Sequence, residues 1–228
     1  MHNGHIIGGE ALVRWQNDKE MIYPDQFIPV LEKNGYVIDV DNFIWNKVCA
    51  CIKMMEDKGI EPVPISVNVS RMHVYQEKFT ENLKNMAGEY GIDPKYIPLE
   101  ITESAFTKEE GSLFKKVQSL QGYGFKFSMD DFGSGYSSLG MLKSERVDEV
   151  KIDKTFVDDI ATDKGKVLLG NVIRMINELG IDMIAEGVET KEQADFLKEN
   201  GCMYAQGYYY YKPMPIEEFA KLLENSAR

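Results

Sequence analysis

The chain is 228 residues long and 43% hydrophobic, which suffices for one sizeable core and, at the short end, for a single α/β barrel. Its formal net charge is −11, and so acidic a surface argues against a general nucleic-acid or anionic-membrane binder, which would carry basic patches. There is no apolar run of about 18 residues, and Met1–Glu10 lacks the charge-then-apolar layout of a signal peptide, so the sequence reads as a soluble, cytoplasmic protein.

Strands and helices alternate along the sequence. Ile6–Val13 reads as a strand, followed by helical segments around Asp25–Asn34 and Asp41–Lys58; in the second, Phe43, Ile44, Val48, Cys51, Ile52 and Met55 recur at helical spacing. Val63–Val69 is the next strand, and a helix is expected from Val74 to Tyr90, closed by Gly91. Ile97–Ile101 is a strand and Lys108–Tyr123 a helix closed by Gly124. Phe125–Met129 is a strand, followed by a Gly/Ser-rich loop. Val147–Ile152, Ile181–Ala185 and Tyr204–Tyr210 complete the strands, with helices at Lys164–Leu179, Lys191–Asn200 and after Pro215. No Pro/Gly/Ser linker divides the chain, so the expectation is a single domain over residues 1–228. Strand-helix alternation throughout implies parallel strands joined by crossovers.

Seven of these segments end an apolar run with a polar group that a hydrophobic core would not choose. They are Glu10 in GGEALVRW, Asn68 in ISVNVS, Glu100 in PLEITES, the Asp130-Asp131 pair in FKFSMDDFGSGYSS, Lys151 in EVKID, Glu186 in MIAEGVET and Gln206 in AQGYYYY. Carboxylates are rarely buried unless paired or bound to metal. Several carboxylates delivered by successive strand ends therefore suggest a divalent-metal site. A TIM-type barrel places its site at the strands' C-terminal face in this way, whereas a doubly wound sheet concentrates it at one switch point. Alternation sharpens the case: Lys126, Ser128 and Asp130 oppose the Phe and Met residues of their strand, and Lys151 and Asp153 oppose Val150 and Ile152. Taken singly, each could be a solvated strand end.

Cys49, Cys51 and Cys202 form no CxxC pair and read as reduced thiols, and His2, His5 and His73 are too scattered for a histidine-based metal centre. The tyrosine run Tyr208–Tyr211 could stack on a base, yet strand packing is the simpler reading. Met54, Met55, Met175 and Met183 read as core filler.

The ordered series GGEALVRW, NVS, LEITES, DDFGSGYSSL, KID, AEGVET and QGYYYYKP resembles the EAL domain, a bacterial cyclic di-GMP phosphodiesterase family named for the tripeptide found here as Glu10-Ala11-Leu12. The tripeptide alone is worthless as a signature; MDDFGSGYSS and AEGVET at their separations are specific. The resemblance implies two Mg²⁺ or Mn²⁺ ions on oxygen ligands. Glu10, Asn68, Glu100 and Asp130 would hold the first ion, with Asp130 bridging to a second held with Asp131. It further implies Glu186 as general base or second-metal partner, Lys151 as orienting and charge-neutralising group, and Gln206 as a hydrogen-bonding residue near the second ion. The product would be linear pGpG.

Substrate contacts implied in the same way are Leu12, Arg14 and Asp153. Arg14 suits a phosphate by its planar fork, or it is a surface arginine paired with an acid; Asp153 contacts guanine, or pairs with Lys151 or Lys154. Glu103 and Glu189 would brace the loop after Met129, where Gly133 and Gly135 give the backbone freedom. Partners expected from the resemblance are cyclic di-GMP, a second copy in a homodimer, and an upstream sensor or GGDEF domain, with no DNA and no membrane insertion by this segment. EAL domains normally open with a helix and an antiparallel strand, whereas nine residues precede Glu10 here, so the expected barrel lacks its first strand. Two rival readings remain: either a receptor that captures cyclic di-GMP without cutting it or an inactive fragment, and a barrel glycosidase using Glu100 and Glu186. The second leaves Asn68, the Asp pair and Lys151 without a task.

Overall fold

The computed structural model describes residues 4–18, 20–103, 110–133, 142 and 147–226. In chain order the described strands are β1 (Gly9–Ala11), β2 (Trp15–Gln16), β3 (Met21–Ile22), β4 (Ile65–Asn68), β5 (Leu99–Thr102), β6 (Phe127–Phe132), β7 (Glu149–Ile152), β8 (Asp182–Ala185) and β9 (Tyr204–Ala205). The helices are α1 (Pro24–Asn34), α2 (Val37–Asp57), α3 (Arg71–Tyr75), α4 (Phe79–Tyr90), α5 (Glu110–Gln121), α6 (Lys154–Asp158), α7 (Asp163–Glu178), α8 (Lys191–Glu199) and α9 (Ile216–Ser226).

Seven strands share one sheet, in the order β1-β4-β5-β6-β7-β8-β9, while β2 and β3 pair antiparallel as a separate hairpin. The ladders β1/β4, β4/β5, β6/β7, β7/β8 and β8/β9 all run parallel. The order in the sheet follows the order in the sequence without reversal. That is the arrangement of an α/β barrel; a doubly wound sheet reverses direction at its switch point. No antiparallel strand joins this sheet among the described residues.

Each parallel strand is apolar on one side. Ile65 and Val67, Leu99 and Ile101, Phe127 and Met129, Val150 and Ile152, Met183 and Ala185 are all buried. The opposite side is polar yet also buried, with Ser66, Glu100, Ser128 and Lys151 at 9% exposure or less. Such a sheet is enclosed on both faces, as parallel strands require, and its polar side needs partners.

The described chain divides into two compact units: residues 6–100, 115–125 and 215–228 form one, and residues 1–5, 101–114 and 126–214 the other. In the first, the stripe Trp45, Val48, Ile52 and Met55 lies along α2, which packs on α1, α4, α9 and β4. In the second, Leu169, Ile173 and Ile176 form the buried face of α7, which packs on β8. Ser70, Thr162 and Thr190 cap α3, α7 and α8 through side-chain oxygens that accept backbone N–H groups.

Three expectations from the sequence need correction. The helix expected over Val74–Tyr90 is two helices, because Gln76 takes an extended ψ of 136° and its N–H closes the first on His73 O. The strand expected over Tyr204–Tyr210 stops at Ala205: Gly207 turns the chain at φ 151°, and Tyr210 and Tyr211 donate their N–H groups back to its carbonyl. The strand expected to end at Met129 continues through Asp130 and Asp131 to Phe132. Among the described residues, no helix is long and apolar enough to cross a membrane.

All three cysteines are buried, and burial pushes their thiols up to about 12 for Cys49 and about 11 for Cys51 and Cys202. Thiolate is the reactive form. We expect an aromatic disulfide reagent at pH 8 to titrate three thiols rapidly in denaturant and slowly in the folded protein; equal rates would contradict this packing.

Candidate active site

In the second unit the polar ends of β6, β7, β8 and β9 meet around a buried ammonium. Lys151 is 1% exposed, with its Nζ 2.6 Å from Glu186 Oε1 and 3.4 Å from Asp130 Oδ1. Gln206 Nε2 donates to the same Glu186 oxygen at 2.8 Å. The backbone fixes these positions, since Glu186 N–H donates to Ile152 O and Gln206 N–H to Ala185 O. A charge this deep costs several kcal/mol unless its partners are close and well oriented (about 3–5 kcal/mol when one partner is removed). Both carboxylates are therefore needed as its partners.

Consecutive strand residues normally face opposite sides, and the Asp130-Asp131 pair departs from that rule. The β6/β7 register shifts between Met129 and Phe132, so the two aspartates fall in a bulge. Asp131 has φ 55°, a left-handed conformation uncommon for a residue with a side chain. Gly133 follows at φ 95°, so close to the Phe156 ring of α6 that a Cβ there would stand 2.0 Å from Phe156 Cε2. Its N–H donates to Glu103 Oε2 at 3.4 Å.

In the first unit Glu10, Asn68 and Glu100 end three adjacent strands. Glu10 is level with Ser66, and Asn68 is level with Glu100. Asn68 Nδ2 donates to Glu10 Oε1 at 3.3 Å, which gives the amide a defined orientation. Glu100 is 1% exposed. From α2, Trp45 Nε1 donates to Asn68 O at 3.1 Å.

The remaining predicted residues have various partners. Arg14 donates to Val13 O at 2.8 Å and sits 5.7 Å from the centre of the Tyr23 ring, a cation–π neighbour. Leu12 is exposed. Asp153 caps α6, its Oδ1 accepting from Thr155 N–H at 2.9 Å and from the Thr155 hydroxyl. Most of the loop that Glu189 is expected to brace lies outside the described residues; Glu189 pairs with Lys154, and its N–H donates to Gln193 Oε1 at 2.7 Å. The turn through Gly187, at φ 65°, brings it there. Gly135 lies outside the described residues.

Two contributors escaped the sequence reading. Trp45 stands 23 residues before the carbonyl it holds, and helical periodicity marks it as core alone. Glu149 lies two residues before Lys151 on the same face, and accepts a hydrogen bond from Ser128 Oγ at 2.9 Å. Desolvation by burial raises its pKa above the usual 4.5, opposed by Ser128 and Lys151.

The candidate donor set suits a hard divalent cation. It consists of carboxylate and amide oxygens, with no thiol or imidazole. Asp130 Oδ1 is buried and makes no hydrogen bond beside its 3.4 Å ion pair with Lys151, which leaves it able to accept a further cation. Among the described residues, no group of three His, Cys, Asp or Glu side chains is gathered tightly enough to form a cation cluster by itself. A shallow depression lined by Gly170, Arg174, Asn177, Glu178, Glu199 and Asn200 lies toward the C-terminal ends of α7 and α8. Helices end where the next strands begin, so this depression is remote from the strand ends that carry the candidate residues.

Two outcomes follow from this geometry. Gly133→Ala should lower stability by about 1–3 kcal/mol through overpacking against Phe156, read by urea denaturation; no loss would refute the close approach. Glu149 stabilises the fold only while protonated, because its folded pKa is raised: that contribution is complete below about 4.5 and is lost as pH rises through the folded value. Glu149→Gln should therefore raise the melting temperature relative to the parent more at pH 7 than at pH 4. An equal change at both would contradict the assignment.

Comparison with known proteins bears on this arrangement as a whole. The EAL domain family profile matches residues 1–213. Oxygen sensor protein DosP of Escherichia coli is 35% identical over 94% of this chain and 27% of its own length. The bifunctional diguanylate cyclase/cyclic di-GMP phosphodiesterase MucR of Pseudomonas aeruginosa is 32% identical over 95% of this chain and 32% of its own length. The chain thus spans about a third or less of each of these relatives. A solved structure of the MucR phosphodiesterase in complex with cyclic di-GMP superposes with a TM-score of 0.90 at 32% identity, covering 95% of this chain and 89% of that one. One family profile spans both compact units, the strands carry the family's motif residues at their ends, and the fold is that of a family member: the chain belongs to the EAL domain family.

Proposed function

We propose that the chain hydrolyses one phosphodiester bond of cyclic di-GMP to give linear pGpG, with Mg²⁺ or Mn²⁺. The observation that carries this reading is the buried Lys151–Glu186–Gln206 cluster beside Asp130, in a member of a family whose named relatives include cyclic di-GMP phosphodiesterases. The residues that would hold the ions are Glu10, Asn68, Glu100, Asp130 and Asp131. A bound divalent pair would supply an acidified water and neutralise charge on the phosphoryl oxygens.

The chain's own groups account for the rest. Glu186 is the proton acceptor for the attacking water; Lys151 and Gln206 hold one of its oxygens, which keeps the group oriented. Lys151 also offers positive charge to the pentavalent transition state, buried where an ammonium acts more strongly than in water. Arg14 is suited to a phosphate of the substrate once drawn off the Tyr23 ring. An accompanying sensor or GGDEF domain, and pairing of two copies, belong to the same proposal.

Turnover of cyclic di-GMP with Mn²⁺, followed as pGpG by chromatography, is the test. Glu186→Gln should cost about 10²–10⁴-fold in kcat, as expected for loss of a positioned base, and Glu10→Ala should abolish metal-dependent product. Undiminished turnover by Glu186→Gln would remove it from the reaction. Tight binding by the parent without product would make the chain a receptor.

A further inference from the structure

Behind the end of β4 lies a buried polar cluster that the proposed reaction does not use. Asp41 on α2 is 7% exposed and His73 on α3 is 0% exposed. Asp41 Oδ2 accepts the Ser70 N–H at 3.1 Å and stands 3.2 Å from His73 Nδ1. A carboxylate only accepts, so Nδ1 is the nitrogen that donates to it, and Nε2 is buried without a hydrogen bond. The His73 ring lies on the Trp45 indole, with centroids 4.3 Å apart and planes inclined by 19°. Trp45 Nε1 in turn donates to Asn68 O, and Ser70 Oγ accepts the His73 N–H.

These contacts grip the turn Asn68–Ser70 from both ends. Trp45 holds the carbonyl of its first residue and Asp41 the amide of its last. Asp41 and Trp45 are four residues apart on one helix and so share a face. An ordinary core would fill this place with apolar side chains, since a buried carboxylate and a buried imidazole are costly unless their bonds are satisfied.

We propose that Asp41, His73 and Trp45 are positioning residues for Asn68. They fix the backbone from which its amide projects, so that Nδ2 stays on Glu10 Oε1 and Oδ1 is the atom offered to a hard divalent cation. The inference rests on the metal-dependent reading above and extends it to three residues that touch neither substrate nor ion.

The test is Mn²⁺ binding by the full chain without nucleotide, reading free Mn²⁺ by electron paramagnetic resonance. Affinity is referred to the fraction folded by circular dichroism at the same temperature. Trp45→Phe keeps the ring and removes the N–H; His73→Leu removes the link to Asp41. Each should weaken Mn²⁺ binding roughly tenfold, the scale on which groups supporting metal ligands act. His73→Asn, whose amide N–H can replace Nδ1–H against Asp41, should recover most of the loss. Unchanged affinity in Trp45→Phe or His73→Leu would overturn the proposal, as would a loss that His73→Asn does not recover. A parent chain that binds no Mn²⁺ would sink the metal reading itself, and that result is visible before any variant is made.

Discussion

Lys151 cannot be both charged and buried unless the surrounding strands are built to receive it. Its ammonium has two carboxylate neighbours, Glu186 and Asp130, and one of these is shared with the Gln206 amide. Each partner comes from a different strand, so the requirement is met only when β6, β7, β8 and β9 stand in register. Charge satisfaction and strand order therefore specify one another in this unit. Replacing buried ion groups with well-packed aliphatic side chains is often neutral or stabilising for a fold. Retention of the cluster here is most simply accounted for by chemistry.

The first unit applies the same constraint with different materials. Glu10, Asn68 and Glu100 occupy the polar side of strands whose other side is aliphatic, and an indole, a carboxylate and an imidazole support the central one from behind. Both units thus place rigid packing on one side of a strand end and polar groups on the other. The parallel sheet makes this possible because its strands are enclosed on both faces and each ends abruptly in a turn.

Much of this was legible in the sequence, for a definite reason. Period-two alternation in short apolar runs exposes any polar residue that shares their buried side, which is how Glu100, Lys151 and Glu186 stand out unaided. The misses involve information held elsewhere in the chain. The bulge at Asp130-Asp131 depends on the register of β7, and the Trp45 bond depends on a carbonyl in another element. The tyrosine run has strand composition, but Gly207 diverts it after two paired residues.

The placement of the aromatic residues has an optical consequence. The chain holds two tryptophans, Trp15 and Trp45, and both belong to the first compact unit. Trp15 is 51% exposed and faces Phe27 edge-on, while Trp45 is sealed at 1%. Indole emission consequently has a water-facing and an apolar component, and an aqueous quencher separates them. The unit that carries Lys151 and Glu186 is dark at that wavelength. Fluorescence thus watches one half of the molecule and circular dichroism watches both, so coincidence of the two signals on denaturation measures how tightly the halves fold as one cooperative body.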